Sequence, residues 1–205
     1  MGIMIMGILV AYLLGSISSA IVVSHLLGLP DPRGTGSGNP GATNVLRAGS
    51  KTGAVLTLVG DIAKGWLPVF IAVQLGYFPA WMVALIGLAA FLGHLYPVFF
   101  GFKGGKGVAT ALGVILAISP LTGLLVIVTW LVVAATLRYS SLAALVAALA
   151  APVYLALVDP DPWLVTTLCV MALFLYWRHY GNIQRLLNGT EPRIGGKKPA
   201  PDENT

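Results

Sequence analysis

The sequence predicts an all-α polytopic integral membrane protein with seven transmembrane helices, the N-terminus outside and the C-terminus cytoplasmic. Three observations lead there. Hydrophobic residues fill 57% of the 205 positions and charged residues only 9%, whereas water-soluble domains carry roughly 25% charged residues. Long uncharged runs dominate the chain, and about 18 such residues suffice to cross the roughly 30 Å hydrocarbon core as a helix. The basic residues fall in clusters separated by apolar segments, and the positive-inside rule gathers such clusters on the cytoplasmic side.

The elements follow in order. Met1 to Leu29 has no basic n-region and is far longer than the roughly 7 to 15 residues of a signal-peptide core, so it reads as a retained first span. Arg33, Arg47, Lys51, Lys103, Lys106, Arg138, Arg178, Arg185, Arg193, Lys197 and Lys198 are assigned to the cytoplasm, with Lys64 left inside the second span. Each apolar segment between clusters must then cross an even number of times. Each offers a turn: Gly76 to Pro79, Ser119-Pro120, and Asp159 to Pro162, none carrying Lys or Arg. One span and three hairpins make seven helices; collapsing one hairpin would leave five. The weak element is Val108 to Ser119, which spans only about 18 Å as a helix. Such a helix can begin inside the membrane only if the loop before it is covered by protein or water, so "GFKGGKG" is expected to dip into a polar cavity. Residues 1–188 read as a single transmembrane domain. Residues 189–205, nearly free of apolar side chains, read as a flexible cytoplasmic tail.

Several classes drop out. Cys169 is the only cysteine, which excludes an internal disulfide or a Cys-based zinc site. His25 and His94 have no carboxylate or Cys at ligand spacing, so no metal and no cofactor is expected. The net charge of +5 suits an anionic membrane surface or a phosphorylated substrate; nothing points to nucleic acid.

Three polar interruptions share the cytoplasmic face in this topology. "GSGNPGATNVLR" offers Ser37, Gly38, Asn39, Thr43 and Asn44 as hydrogen-bonding or close-approach positions and Arg47 as a fork for phosphate. It reads as an ordinary capped loop or as a ligand-contacting one. In "GFKGGKGVAT", Lys103, Gly104, Gly105, Lys106 and Gly107 precede a helix start. Glycine-rich backbone and a helix N-terminus make an anion cradle; the same lysines also suit a plain cytoplasmic helix flank. The nucleotide P-loop pattern fails at Phe100 and Gly107, so ATP is not expected. In "RHYGNIQRL", His179, Asn182 and Arg185 form one polar strip at the end of the last span, as an interfacial anchor or as part of a site. Asp61 and Lys64, three residues apart within the second span, suit an internal ion pair or support for a polar path.

"SGNPGATNVLRAGSKTG" with "GDIAKG" downstream, "GHLYPVFFGFKGGKGVAT" and "HYGNIQRLLNGTE" together resemble the three motif regions of the bacterial PlsY family of acyl-phosphate:glycerol-3-phosphate acyltransferases. The likeness covers nearly the whole chain in order. It implies a multi-pass enzyme of the bacterial inner membrane with its active site at the cytoplasmic face. Such an enzyme moves a fatty acyl group from acyl phosphate to the 1-hydroxyl of glycerol 3-phosphate, giving lysophosphatidic acid and inorganic phosphate. By the resemblance Ser37, Arg47, Lys106, His179 and Asn182 are the catalytic candidates. Gly38, Asn39, Thr43, Asn44, Lys103, Gly104, Gly105 and Gly107 are the substrate-binding ones, the second motif chiefly for glycerol 3-phosphate. The chain is expected to act as a monomer, with membrane lipid as its surroundings.

An acyl phosphate is already activated, so positioning and charge stabilisation can supply most of the acceleration. Direct attack by the glycerol hydroxyl is expected, its proton passing to a substrate phosphate or to His179. Ser37 as an acyl-carrying nucleophile is the weaker scheme, because no base pairs with it in the sequence. The HxxxxD acyltransferase dyad is absent: the residues five after the histidines are Pro30, Phe99 and Gln184. The acidic run of CDP-alcohol phosphotransferases is also missing. A transporter of a small phosphate ester is the alternative, suggested by Asp61, Lys64 and the short helix after Gly107.

Overall fold

A computed structural model describes residues 2–196; Met1 and 197–205 lie outside the described residues, and with them the larger part of the segment assigned to a tail. The described chain is helical: α1 (Gly2–Gly15), α2 (Ser19–Leu26), α3 (Ala42–Arg47), α4 (Lys51–Leu75), α5 (Ala80–Leu95), α6 (Val108–Ile118), α7 (Pro120–Leu137), α8 (Ser140–Val158), α9 (Pro162–Arg178) and α10 (Tyr180–Leu187). A single 3-10 turn, Val98–Phe100, follows α5.

The helix ends are chemically marked. Ser50 Oγ accepts the Gly53 amide at 3.0 Å to open α4. Gly76 closes it at φ 70°, where a left-handed residue ends a helix without a Cβ clash. Ser119 caps α7 ahead of Pro120, and Asp161 Oδ1 accepts the Trp163 and Leu164 amides ahead of α9. All three turns expected from Pro, Gly and Asp therefore separate helices where the sequence put them. α1 and α2 bend by 46° at their junction. There Ser16 Oγ donates back to the Tyr12 carbonyl at 2.8 Å, and the carbonyl freed at Ile17 accepts from Lys64 Nζ at 2.7 Å. The buried lysine thus repairs a broken helix, since a bare carbonyl in an apolar setting is costly.

Four helical segments are long and apolar enough to cross a membrane, 51–75, 80–100, 120–137 and 140–158, and the bent α1–α2 pair makes a fifth. α6 and α9 are apolar but shorter, at 11 and 17 residues. α6 spans about 16 Å; in the loop before it Gly104, Gly105 and Gly107 are buried and Lys106 is half-buried, whereas Gly101, Phe102 and Lys103 are exposed.

The helices close into a ring. α4 packs on α6, α6 on α7, α7 on α8, α8 on α9, and α9 returns to α5, which also touches α1, α4 and α6. Glycines bring α4 and α6 together: a Cβ at Gly65 would collide with the Thr110 backbone and one at Gly113 with the Ile62 carbonyl, so the two helices meet backbone to backbone. Phe91, Leu95, Val69, Val114 and Leu155 are fully buried. Leu149, Leu157 and Leu173 are 63%, 79% and 71% exposed, an apolar periphery facing outward of the kind that belongs in lipid.

Candidate functional site

The three polar interruptions meet at one end of this ring. The first is folded around Asn44, which is buried although the flanking Thr43 is exposed. Its Nδ2 donates to the carbonyls of Pro32 at 2.7 Å and Thr35 at 3.0 Å, and its Oδ1 accepts the Ser37 amide at 3.1 Å. One amide side chain thereby holds a loop that has almost no apolar content of its own. Val45, buried beside Ala20 and Ala54, anchors the short α3 on which Arg47 rides.

The second interruption runs back along the end of α5. The Gly104 and Gly105 amides donate to the Leu95 and His94 carbonyls, both at 3.2 Å. Gly107 sits at φ 87° as the N-cap of α6, a conformation that only glycine takes cheaply. Lys106, half-buried between them, donates from Nζ to Asn182 Oδ1.

Asn182, on α10, passes the contact on. Its Nδ2 donates to Glu191 Oε1 at 2.7 Å, the same oxygen accepts from Ser141 Oγ at 2.7 Å, and Arg185 Nε donates to Glu191 Oε2 at 2.8 Å. Glu191 is only 6% exposed, so residues of the segment assigned to a tail fold back into the domain. Ile194 reinforces this, its amide donating to the Arg138 carbonyl at 2.7 Å.

These residues line one cavity of about 460 Å³. Ser37, Asn39, Thr43, Asn44, Arg47, Lys106, Gly107, His179 and Asn182 contribute its polar end. Leu112 and Ile115 of α6, Val126 and Trp130 of α7, and Ala147 and Ala151 of α8 continue it as an apolar trough. Gly38, Lys103, Gly104 and Gly105 do not line it. Lys103 is exposed, and the two buried glycines instead carry the backbone that aims Lys106.

Electrostatics follow from burial. Loss of water pushes Lys106 down to about 8, with Glu191 opposing and Arg185, Arg47 and Arg178 assisting; it is still mostly cationic at neutral pH. Loss of water also pushes His179 down to about 4, helped by the charge on Lys106. His179 Nδ1 lies 2.8 Å from the Leu175 carbonyl. A carbonyl can only accept, so Nδ1 carries the proton and Nε2 keeps a free lone pair. Glu191 is held below the usual carboxylate range against its own burial by hydrogen bonds from Ser141, Asn182 and Arg185.

One sequence expectation changes here, and the expected internal ion pair is present. His94 has a carboxylate neighbour after all: its Nδ1 lies 3.6 Å from Asp61 Oδ1, and both residues border the cavity wall. Lys64 pairs with Asp61 at 2.9 Å. Periodicity could not show the His94 contact, because the partners sit on different helices. Glu191, Ser141 and Arg178 were also missed. The available signal for Glu191 was its rarity, one of seven acidic residues, in the "NGTE" that closes the third motif.

A ring of apolar helices, four of them membrane-length, around a cavity that is cationic and hydroxyl-rich at one end and apolar along its length defines an integral membrane protein whose cavity fits an anionic amphiphile. The chain belongs to the glycerol-3-phosphate acyltransferase family, whose model matches residues 5–189. It is 58% identical over 190 residues to the glycerol-3-phosphate acyltransferase of Thioalkalivibrio sulfidiphilus, covering 93% of each chain. It is 56% identical to that of Paraburkholderia phytofirmans, covering 93% of this chain and 91% of the relative. Among solved structures it is similar to PlsY (YgiH), an integral membrane glycerol 3-phosphate acyltransferase, in its glycerol 3-phosphate form. That match has TM-score 0.90 and 44% identity, covering 94% of this chain and 96% of the other. The lysophosphatidic acid form of PlsY matches with TM-score 0.87 and 43% identity, covering 93% and 94%.

Proposed function

We propose that this chain transfers a fatty acyl group from acyl phosphate to the 1-hydroxyl of glycerol 3-phosphate, releasing lysophosphatidic acid and inorganic phosphate. The observation that carries the reading is the continuity of one cavity from Arg47 and Lys106 into the trough between α6, α7 and α8. A polar acceptor and an acyl donor can meet only where such surfaces join. The relatives named above support the acceptor and the product.

The hydroxyl oxygen of glycerol 3-phosphate attacks the acyl carbonyl carbon directly. The carbonyl carbon's bond to the phosphate oxygen then breaks, and phosphate leaves with that electron pair. Lys106 and Arg47 neutralise phosphate, while Ser37 and Asn182 stand near the developing oxyanion. Gly38, Asn39, Thr43, Asn44, Lys103, Gly104, Gly105 and Gly107 shape or support the binding surface. The hydroxyl proton goes to a substrate phosphate. A phosphate dianion, whose conjugate acid titrates near 6, outcompetes a His179 pushed down to about 4. Ser37 makes no hydrogen bond to a base among the described residues, which favours direct attack over an acyl-enzyme.

In the same reading the α1–α2 pair, α4, α5, α6, α7, α8 and α9 make seven spans in a bacterial inner membrane, with the N-terminus outside and the C-terminus cytoplasmic. The site opens to the cytoplasm, and a monomer suffices. The basic residues at the site end of the ring support that orientation.

The test is made with purified protein in detergent, given acyl phosphate and glycerol 3-phosphate. Phosphate release that requires glycerol 3-phosphate, yields lysophosphatidic acid and fails in Lys106→Ala is expected, with measurable turnover in His179→Ala. Folded wild-type protein that makes no product, yet drives uptake of a phosphate ester into proteoliposomes, would establish the transporter reading instead.

A further inference from the structure

The loop that carries Lys106 is so rich in glycine that its own sequence does not determine which way the lysine points. The fold removes that freedom from two sides. The Gly104 and Gly105 amides are held by the carbonyls at the end of α5. The carbonyls of the same two glycines face Arg178, whose Nη2 donates to Gly104 O at 2.8 Å and Nε to Gly105 O at 3.1 Å. A guanidinium presents its donors in one rigid plane, so two successive carbonyls are fixed by a single group. Sideways escape is closed as well: a Cβ at Gly104 would collide with the His94 carbonyl and one at Gly105 with the His94 ring.

The residue that follows the clamped pair is Lys106, and the residue that follows Arg178 is His179. Arg178 does not line the cavity, and among the described residues it forms no salt bridge with a carboxylate.

We infer that Arg178 is a positioning residue for the acyl-transfer site: it fixes the Gly104 and Gly105 carbonyls so that Lys106 faces Asn182 and the bound anion, without touching substrate itself. The inference rests on the acyltransferase reading above. A lysine at 178 keeps the charge but lacks the fixed planar fork whose Nε and Nη2 each meet one carbonyl. Glutamine loses the charge as well. The groups that sense that charge are Lys106, His179 and His94.

The experiment compares wild type, Arg178→Lys and Arg178→Gln in detergent. It measures steady-state kinetics in each substrate, calorimetric titration with glycerol 3-phosphate and thermal unfolding. Both variants should raise KM and the dissociation constant for glycerol 3-phosphate about tenfold. The turnover number should change less than about threefold, and KM for acyl phosphate should hold. Arg178→Gln alone should also move the alkaline limb of kcat/KM upward, because a neighbouring cation has gone. Unchanged affinity for glycerol 3-phosphate in both variants overturns the inference. So does a loss of activity that merely tracks the folded fraction, with both KM values intact. If the glutamine variant does not fold, the lysine variant decides. A wild type that binds glycerol 3-phosphate but makes no lysophosphatidic acid would fail the acyltransferase reading alone, and the binding shift would still judge Arg178.

Discussion

Lys106 and His179 occupy the same cavity, and their burial sets opposite tasks for them. Lys106 loses its charge as pH rises through about 8, so kcat/KM for glycerol 3-phosphate is expected to fall above that pH. Lys106→Arg, whose guanidinium does not titrate there, should flatten the limb; a limb that persists in this variant would assign it elsewhere. His179 is neutral in the folded protein down to about 4, while in the unfolded chain it protonates near 6.5. The unfolded state therefore binds more protons between these values, and stability drops as pH falls from 6.5 toward 4. The slope is at most about 1.4 kcal/mol per pH unit. Thermal unfolding of His179→Gln across that window should show a shallower dependence. Glu191 joins Ser141, Asn182 and Arg185. Glu191→Ala should cost about 2 kcal/mol by leaving those donors without their acceptor, and should weaken glycerol 3-phosphate binding because Asn182 no longer holds Lys106 in place. Of these residues Lys106, His179 and Asn182 were readable from residue type and spacing. Glu191 was not, since its partners lie 50, 9 and 6 positions away and its neighbours in sequence look like a solvated tail.

At the scale of elements, the ends were more legible than the contacts. Pro, Gly, Ser and Asp punctuate the apolar runs at 76–79, 119–120 and 159–162, and helices stop there because caps and turns are local chemistry. The α1–α2 break was not readable in this way: the run is continuously apolar apart from a few serines, and the bend exists where Lys64 can satisfy the Ile17 carbonyl. The α4–α6 crossing depends on Gly65 and Gly113 meeting the opposite backbone. Gly113→Leu should push the two helices apart and cost about 3 kcal/mol or more, seen as loss of folded protein in detergent and a lowered unfolding temperature. A fully stable variant would show that α4 and α6 can separate without consequence.

For the whole molecule, closing the ring gives one cavity with a polar end and an apolar length, the shape that the proposed pair of substrates needs. Ala151 lies far along the trough on α8 and is 3% exposed. If the trough holds the acyl chain, Ala151→Phe fills its far part. Long-chain acyl phosphates should then lose about tenfold or more in kcat/KM relative to short-chain ones, as a competition assay with mixed chain lengths would read. An unchanged preference would put the chain elsewhere.

By itself the sequence determined the helical class, the positions of the turns and the three polar interruptions, because composition, capping and charge placement are properties of neighbouring residues. The family likeness was legible for the same reason, being written in contiguous motifs. Tertiary structure alone decided which of the polar residues meet. It brought Glu191 back beneath Asn182, set Asp61 beside His94, and put Arg178 across the Gly104 and Gly105 carbonyls. Asp61 and His94 stand on different helices and the other pairs join a helix to a loop, so packing rather than local sequence fixes their separation.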